Sequence, residues 1–166
     1  PNGRRSDFST KFDVTGVIFI NDIHGLTGID QLASVERIKF DDTSLAPIVF
    51  RRACQEAWRV VLIGSDSISI ENSVRKLKEQ YDLNIVYFRN GFFSGELERE
   101  SCLMQINELN PDLVVVGMGA PLQEKFLVDL VGLGWRGRGY TCGGYFHQLG
   151  GSLLVNFKNQ SRVLFH

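Results

Sequence analysis

Two apolar runs, each closed by glycine and followed at once by helix-type sequence, constrain this chain more than anything else in it. Arg59 to Gly64 reads RVVLIG and leads through Ser65 and Asp66 into a helical stretch that reaches about Gln80. The segment Asn110 to Lys125, NPDLVVVGMGAPLQEK, repeats the scheme: a turn dipeptide, the apolar run Leu113 to Val116, glycines at Gly117 and Gly119, then a polar helix start from Pro121 to Lys125. A buried strand that delivers a glycine turn to a helix N-terminus lets backbone N–H groups approach a ligand closely, and the helix dipole favours an anion there. The same glycines also serve as a plain strand-to-helix turn in any α/β domain.

The rest of the chain supports the alternation. Val14 to Ile20 (VTGVIFI) is a strand by its β-branched and aromatic content, ending in the polar turn Asn21-Asp22-Ile23-His24-Gly25. Leu26 to Val35 reads as a short helix and Glu36 to Phe40 as a loop. Asp41, Asp42, Thr43 and Ser44 offer capping side chains for a helix over Leu45 to Trp58. Asn84 to Phe88 is a strand, Asn90-Gly91 a turn, and Ser94 a cap for a helix from about Gly95 to Leu109. Arg138 to Cys142 forms one more strand before Gly143-Gly144, and a helix starts over Tyr145 to Leu149. Strands that alternate with helices about every 25 residues predict right-handed βαβ units, a mainly parallel sheet and a Rossmann-like three-layer α/β sandwich. The expected organisation is a lead-in over 1–12, one domain over 13–151 and a tail over 152–166.

Composition excludes several classes. With 166 residues and a formal net charge of −1, the chain has the core of one domain and no overall basic character to recruit nucleic acid. Cys54, Cys102 and Cys142 are odd in number and widely spaced, which predicts free thiols in a reducing compartment. No apolar run is long enough to span a membrane, and Pro1 to Lys11 is not a signal peptide. A cytoplasmic protein is the expectation.

Familiar motifs are missing. The dinucleotide fingerprint fails because Leu122 stands where the third glycine would fall, which disfavours an oxidoreductase. There is no P-loop and no G-x-S-x-G elbow, and His24, His147 and His166 are too scattered for a metal site. No motif calls for a metal or a cofactor.

GMGAPLQEKF, preceded by NPDLVVV and followed by Gly143-Gly144-Tyr145-Phe146, resembles the bacterial WecG/TagA/CpsF glycosyltransferases, with their G-x-G-x-P-x-Q-E-x-aromatic string and G-G-x-F-D turn. Arg59 to Gly64 is similar to the family's central strand, Asn90-Gly91-Phe92-Phe93 to its H-G-Y-F-type turn, and Glu36-Arg37-Ile38 through Asp42 to its E-R-V-x-G-x-D segment. Asn21-Asp22 falls at the family's Asp-Gly pair. Departures are Ile23 and Phe40 at family glycines and His147 at the aspartate after G-G-x-F.

The resemblance implies transfer of an N-acetylmannosamine-type sugar from a UDP-sugar, itself a substrate rather than a cofactor, to a polyprenyl-diphosphate-linked acceptor. It also implies peripheral contact with the inner face of the membrane; self-association stays open. An acceptor hydroxyl must lose a proton as it attacks, and donors must hold the departing diphosphate. On this reading Asp22 is the base. Gly117, Gly119, Pro121, Gln123, Glu124 and Lys125 face the donor, Gly143 and Gly144 line the same cleft, and Arg37 and Asp42 contribute to substrate binding. Each has a plainer role: Asp22 a turn residue, Gln123 and Glu124 first-turn helix residues, Lys125 a solvated charge, Arg37 and Asp42 a loop charge and a cap. A catalytically degenerate nucleotide-sugar-binding or interaction domain is the alternative.

Overall fold

The computed structural model describes residues 18–19 and 39–151. In chain order they form β1 (Ile18–Phe19), α1 (Leu45–Gln55), β2 (Arg59–Gly64), α2 (Ser67–Tyr81), β3 (Asn84–Arg89), α3 (Glu96–Leu109), β4 (Leu113–Gly117), α4 (Leu122–Gly132) and β5 (Arg138–Thr141). A last helix, α5, covers 145–151. The five strands form one sheet in the order β1-β5-β4-β2-β3, and every neighbouring pair is parallel. The α/β Rossmann-like class expected from the sequence is the observed one.

The central strands explain why their sequences are unbroken apolar runs. Val60 and Leu62 of β2, with Leu113 and Val115 of β4, pack in one core with Phe50 of α1, Leu77 of α2 and Phe146 of α5. Their neighbours Val61, Ile63, Val114 and Val116 face the opposite core with Leu103 and Ile106 of α3 and Phe126 of α4. A strand covered on both faces has no solvent side on which polar residues would alternate. Each such side chain contributes about 1.5–3 kcal/mol of transfer free energy. Helices supply matching stripes: Ala46, Val49, Phe50 and Ala53 recur at helical spacing on the buried face of α1.

Three local expectations change. The helix expected to reach Trp58 stops at Gln55 because Ala57 turns left-handed (φ 51°) and the Trp58 amide bonds back to the Ala53 carbonyl, burying the indole. Ser44 precedes α1 without a side-chain cap; its hydroxyl donates to Asp41, which gathers the Thr43 amide and hydroxyl as well. Ser94 does not accept from α3 either. Its amide and hydroxyl both donate to the Glu98 carboxylate, at 2.6 and 2.7 Å, while Gly95 occupies the cap position. These hydrogen bonds, with the neighbouring Arg89 guanidinium, hold the Glu98 carboxyl down at about 2.

Candidate functional site at the sheet switch point

The strand order places a reversal at the centre of the sheet. From β2 the chain steps outward to β3, then crosses back to β4 on the other side of β2 and continues outward to β5. Helices α2 and α4 consequently leave the C-terminal ends of β2 and β4 onto opposite faces. In an open parallel sheet this is where a crevice forms and ligands sit.

The floor of that crevice is backbone against backbone. Gly64 pairs with Gly117 in the β2–β4 register, and a Cβ on Gly64 would lie 2.3 Å from the Gly117 carbonyl oxygen. The Ser65 amide donates to that same oxygen at 3.1 Å, and the Gly91 amide, after β3, donates to the Ser65 carbonyl at 2.9 Å. Ser65 adopts a left-handed conformation (φ 58°), and its buried Oγ has no partner. The next residue, Asp66, caps α2 by accepting from the Ser69 amide and hydroxyl, and those bonds hold its carboxyl down at about 2. On the far side of Gly117, a Cβ would meet Cys142 Sγ and the Gly143 carbonyl oxygen, both at 2.8 Å.

Beyond the floor the β4 turn opens. Gly119 is left-handed (φ 77°) with nothing within 4 Å of where a Cβ would stand. The Ala120–Pro121 peptide is cis, and Pro121 precedes α4 with no side-chain cap. The first turn closes on backbone carbonyls alone, Gln123 N–H to Gly119 and Lys125 N–H to Pro121. A helix start without a side-chain cap keeps its dipole available to an anionic ligand.

Gln123 links this turn to β5. It is 1% exposed, and its Oε1 accepts the Gly143 amide at 3.1 Å while its Nε2 donates to Glu124 Oε1 at 2.9 Å. Gly143 is left-handed (φ 52°) beside open space, as the turn into α5 requires. Asp42 accepts from the hydroxyl of the buried Tyr145 at 2.7 Å, and also stands close enough to Tyr81, the last residue of α2, to add to the upward push that burial gives that hydroxyl. Burial, with the Asp42 carboxylate beside it, pushes the Tyr145 hydroxyl up, so it remains a donor.

Of the residues selected from sequence, Gly117, Gly119, Pro121, Gln123, Glu124, Gly143 and Gly144 therefore share one edge of the sheet, whereas Asp42 lies between Tyr145 and the C-terminal end of α2. Lys125 pairs instead with Asp129 at 2.7 Å, and Asp129 also receives Arg99 from α3, so this ammonium belongs to the α3–α4 seam. His147 is exposed, with Nδ1 3.6 Å from Asp66 Oδ2. Asp22, Arg37 and His24 lie outside the described residues. Ser65 and Gly64 were not selected, although RVVLIGSD carries the same strand, glycine and helix signal as the β4 segment. Among the described residues no group of three metal-type side chains comes together, and no helix is long and apolar enough to cross a membrane.

An all-parallel, doubly wound sheet with an open glycine turn and an uncapped helix at its switch point defines a domain of the Rossmann-like α/β type. Within that type, the chain belongs to the glycosyl transferase WecG/TagA/CpsF family, whose model matches residues 29–154. It is 32% identical over 115 residues to a Shigella boydii protein named UDP-Gal:alpha-D-GlcNAc-diphosphoundecaprenol beta-1,4-galactosyltransferase, a match covering 69% of this chain and 48% of the relative. The chain thus spans about half the length of that relative. Among solved structures, an extracellular ligand-binding receptor from Rhodopseudomonas palustris matches with a TM-score of 0.43 and 18% identity, over 64% of this chain and 32% of the receptor. That likeness is too slight to bear on fold or function.

Proposed function

We propose that this domain binds the donor for transfer of a sugar from a UDP-sugar to a polyprenyl-diphosphate-linked acceptor, in the synthesis of bacterial surface polysaccharide or teichoic acid. The observation that carries the reading is the open Gly119 turn leading into uncapped α4 at the switch point, in a chain of this glycosyltransferase family. The departing UDP gathers negative charge as the glycosidic bond breaks, and free N–H groups at a helix start stabilise that charge as it develops. Asp22 is the proposed base for the acceptor hydroxyl. Support comes from β1, which runs parallel to β5 with Phe19 opposite Tyr140, so that it heads toward the edge carrying Gly143 and Gly144. Arg37 and Asp42 are proposed as further donor contacts, Asp42 fixed by Tyr145. The reaction takes place at the cytoplasmic face of the membrane, where the lipid-linked acceptor resides, and uses the UDP-sugar as substrate with no further cofactor.

The family resemblance points to an N-acetylmannosamine-type donor, while the name of the Shigella relative specifies UDP-galactose. Both belong in one experiment. The full chain is incubated with each donor and a soluble lipid-diphosphate acceptor, and UDP release is followed for wild type and Asp22→Asn. We expect turnover with one donor and a loss of at least about 100-fold in the variant. Turnover indifferent to Asp22→Asn removes that residue from its role. UDP binding without release would establish the second reading, a binding domain without turnover, which His147 at the family's aspartate position favours.

A further inference from the structure

We infer that Phe92, in the turn after β3, is the platform on which the uracil of the donor stacks; the inference rests on the donor-binding reading above. Phe92 is 72% exposed, yet its backbone is held from both sides. Its N–H donates to Asn90 Oδ1 at 3.0 Å, and its carbonyl oxygen accepts from Arg89 Nη2 at 2.8 Å.

Both partners are themselves fixed. Asn90 Nδ2 donates to Ser67 Oγ, in the first turn of α2, at 3.0 Å. The Arg89 guanidinium pairs with Glu98 at 3.0 Å and lies 4.1 Å over the Phe93 ring. Phe93, unlike Phe92, packs against the core and stacks on Phe126 of α4. A single exposed apolar side chain needs no explanation. One whose backbone is tied down by two neighbouring side chains, while its ring is left bare, carries that ring on a rigid support and lowers the cost of ordering it around a ligand.

The turn also belongs to the crevice. The Gly91 amide donates to the Ser65 carbonyl, and a Cβ on Gly91 would lie 2.9 Å from the Met118 side chain and 3.1 Å from Gly64 Cα. Gly64 is part of the floor, and Met118 precedes the open turn at Gly119. Phe92 thus directly follows a residue packed against the exits of both β2 and β4. With its backbone groups engaged, it offers a π face and no hydrogen bond, which suits a planar heterocycle and not a phosphate. In a UDP-sugar the only such ring is the base.

Calorimetric titration of the full chain with UDP tests this in wild type, in Phe92→Leu, which keeps apolar bulk without an aromatic face, and in Phe92→Trp. We expect Phe92→Leu to weaken UDP by about 10- to 100-fold while its melting temperature stays that of wild type. Phe92→Trp keeps the affinity, and its added indole emission, taken as the difference from the wild-type signal, is quenched by UDP and left unchanged by inorganic diphosphate. An affinity for UDP indifferent to Phe92→Leu, an added emission that UDP does not alter, or a lowered melting temperature in Phe92→Leu overturns the assignment and leaves the donor reading standing. Wild-type protein that does not bind UDP overturns the donor reading itself, and this inference with it.

Discussion

The exits of β2 and β4 begin from the same sequence scheme and become opposite structures. After β2 the backbone is fully engaged: Gly64 touches the Gly117 backbone, the Ser65 amide and carbonyl are both taken, and Asp66 caps α2 with its own carboxylate. After β4, Gly117 is equally confined, yet from Gly119 onward the turn borders open space and α4 begins without a side-chain cap. A strand closed by glycine thus announces a tight turn, and the residues after the glycine decide whether that turn is sealed or offered to a ligand. Capping by Asp66 satisfies the helix from within. Pro121 at the equivalent place offers a backbone carbonyl to Lys125 but no side-chain acceptor, and keeps the helix start available.

Substitutions at the two exits should therefore differ in kind. Gly64→Ala sets a methyl carbon 2.3 Å from the Gly117 oxygen in a backbone conformation that disfavours it; we expect a loss of about 3 kcal/mol or more by denaturant unfolding. A much smaller loss would mean that the two exits do not share a rigid floor. Next comes Gln123→Ala, which empties a buried side-chain site and leaves the half-buried Gly143 amide without its acceptor, and should cost about 2 kcal/mol in the same measurement. Gly119→Ala meets no atom and pays only for its left-handed backbone, about 1 kcal/mol, while ligand affinity falls further than stability suggests.

Asp66→Ala removes a cap worth about 1 kcal/mol. Its carboxyl lies at about 2 in the folded protein, below the ordinary value, so its stabilisation is present above about pH 4 and is lost as the pH falls from there toward about 2. Unfolding followed by circular dichroism across that window should show a steeper fall for wild type than for Asp66→Ala. Smallest of all, Ser65→Gly relieves a left-handed serine and should gain about 0.5 kcal/mol, visible as a slightly raised melting temperature. A loss there would show that the Ser65 hydroxyl holds the β2 exit together.

Much of this architecture could be read from the chain. RVVLIG and LVVVG are unbroken because both faces of those strands are covered, and the regular return of helices between strands leaves a parallel sheet as the natural arrangement. The string at Gly117 to Glu124 could likewise be placed at the C-terminal edge of the sheet, since a strand, a glycine turn and a helix start fall there in any such sheet. What sequence could not resolve was the use of individual polar groups. Ser94 donates where a cap would accept, Lys125 turns to Asp129, and Gln123 bonds across to Gly143, twenty residues on in the chain. Those outcomes depend on which elements meet in space, and no local pattern encodes a meeting between α4 and the turn after β5.

Cys142 lies beneath Gly117, its thiol pushed up by burial and so kept protonated, while Cys54 is exposed. The chain therefore carries its own clock. A thiol reagent should mark Cys54 at once and reach Cys142 only when the floor between β4 and β5 parts, so with the second buried thiol removed as Cys102→Ser the rate of the later labelling measures how often the crevice comes open.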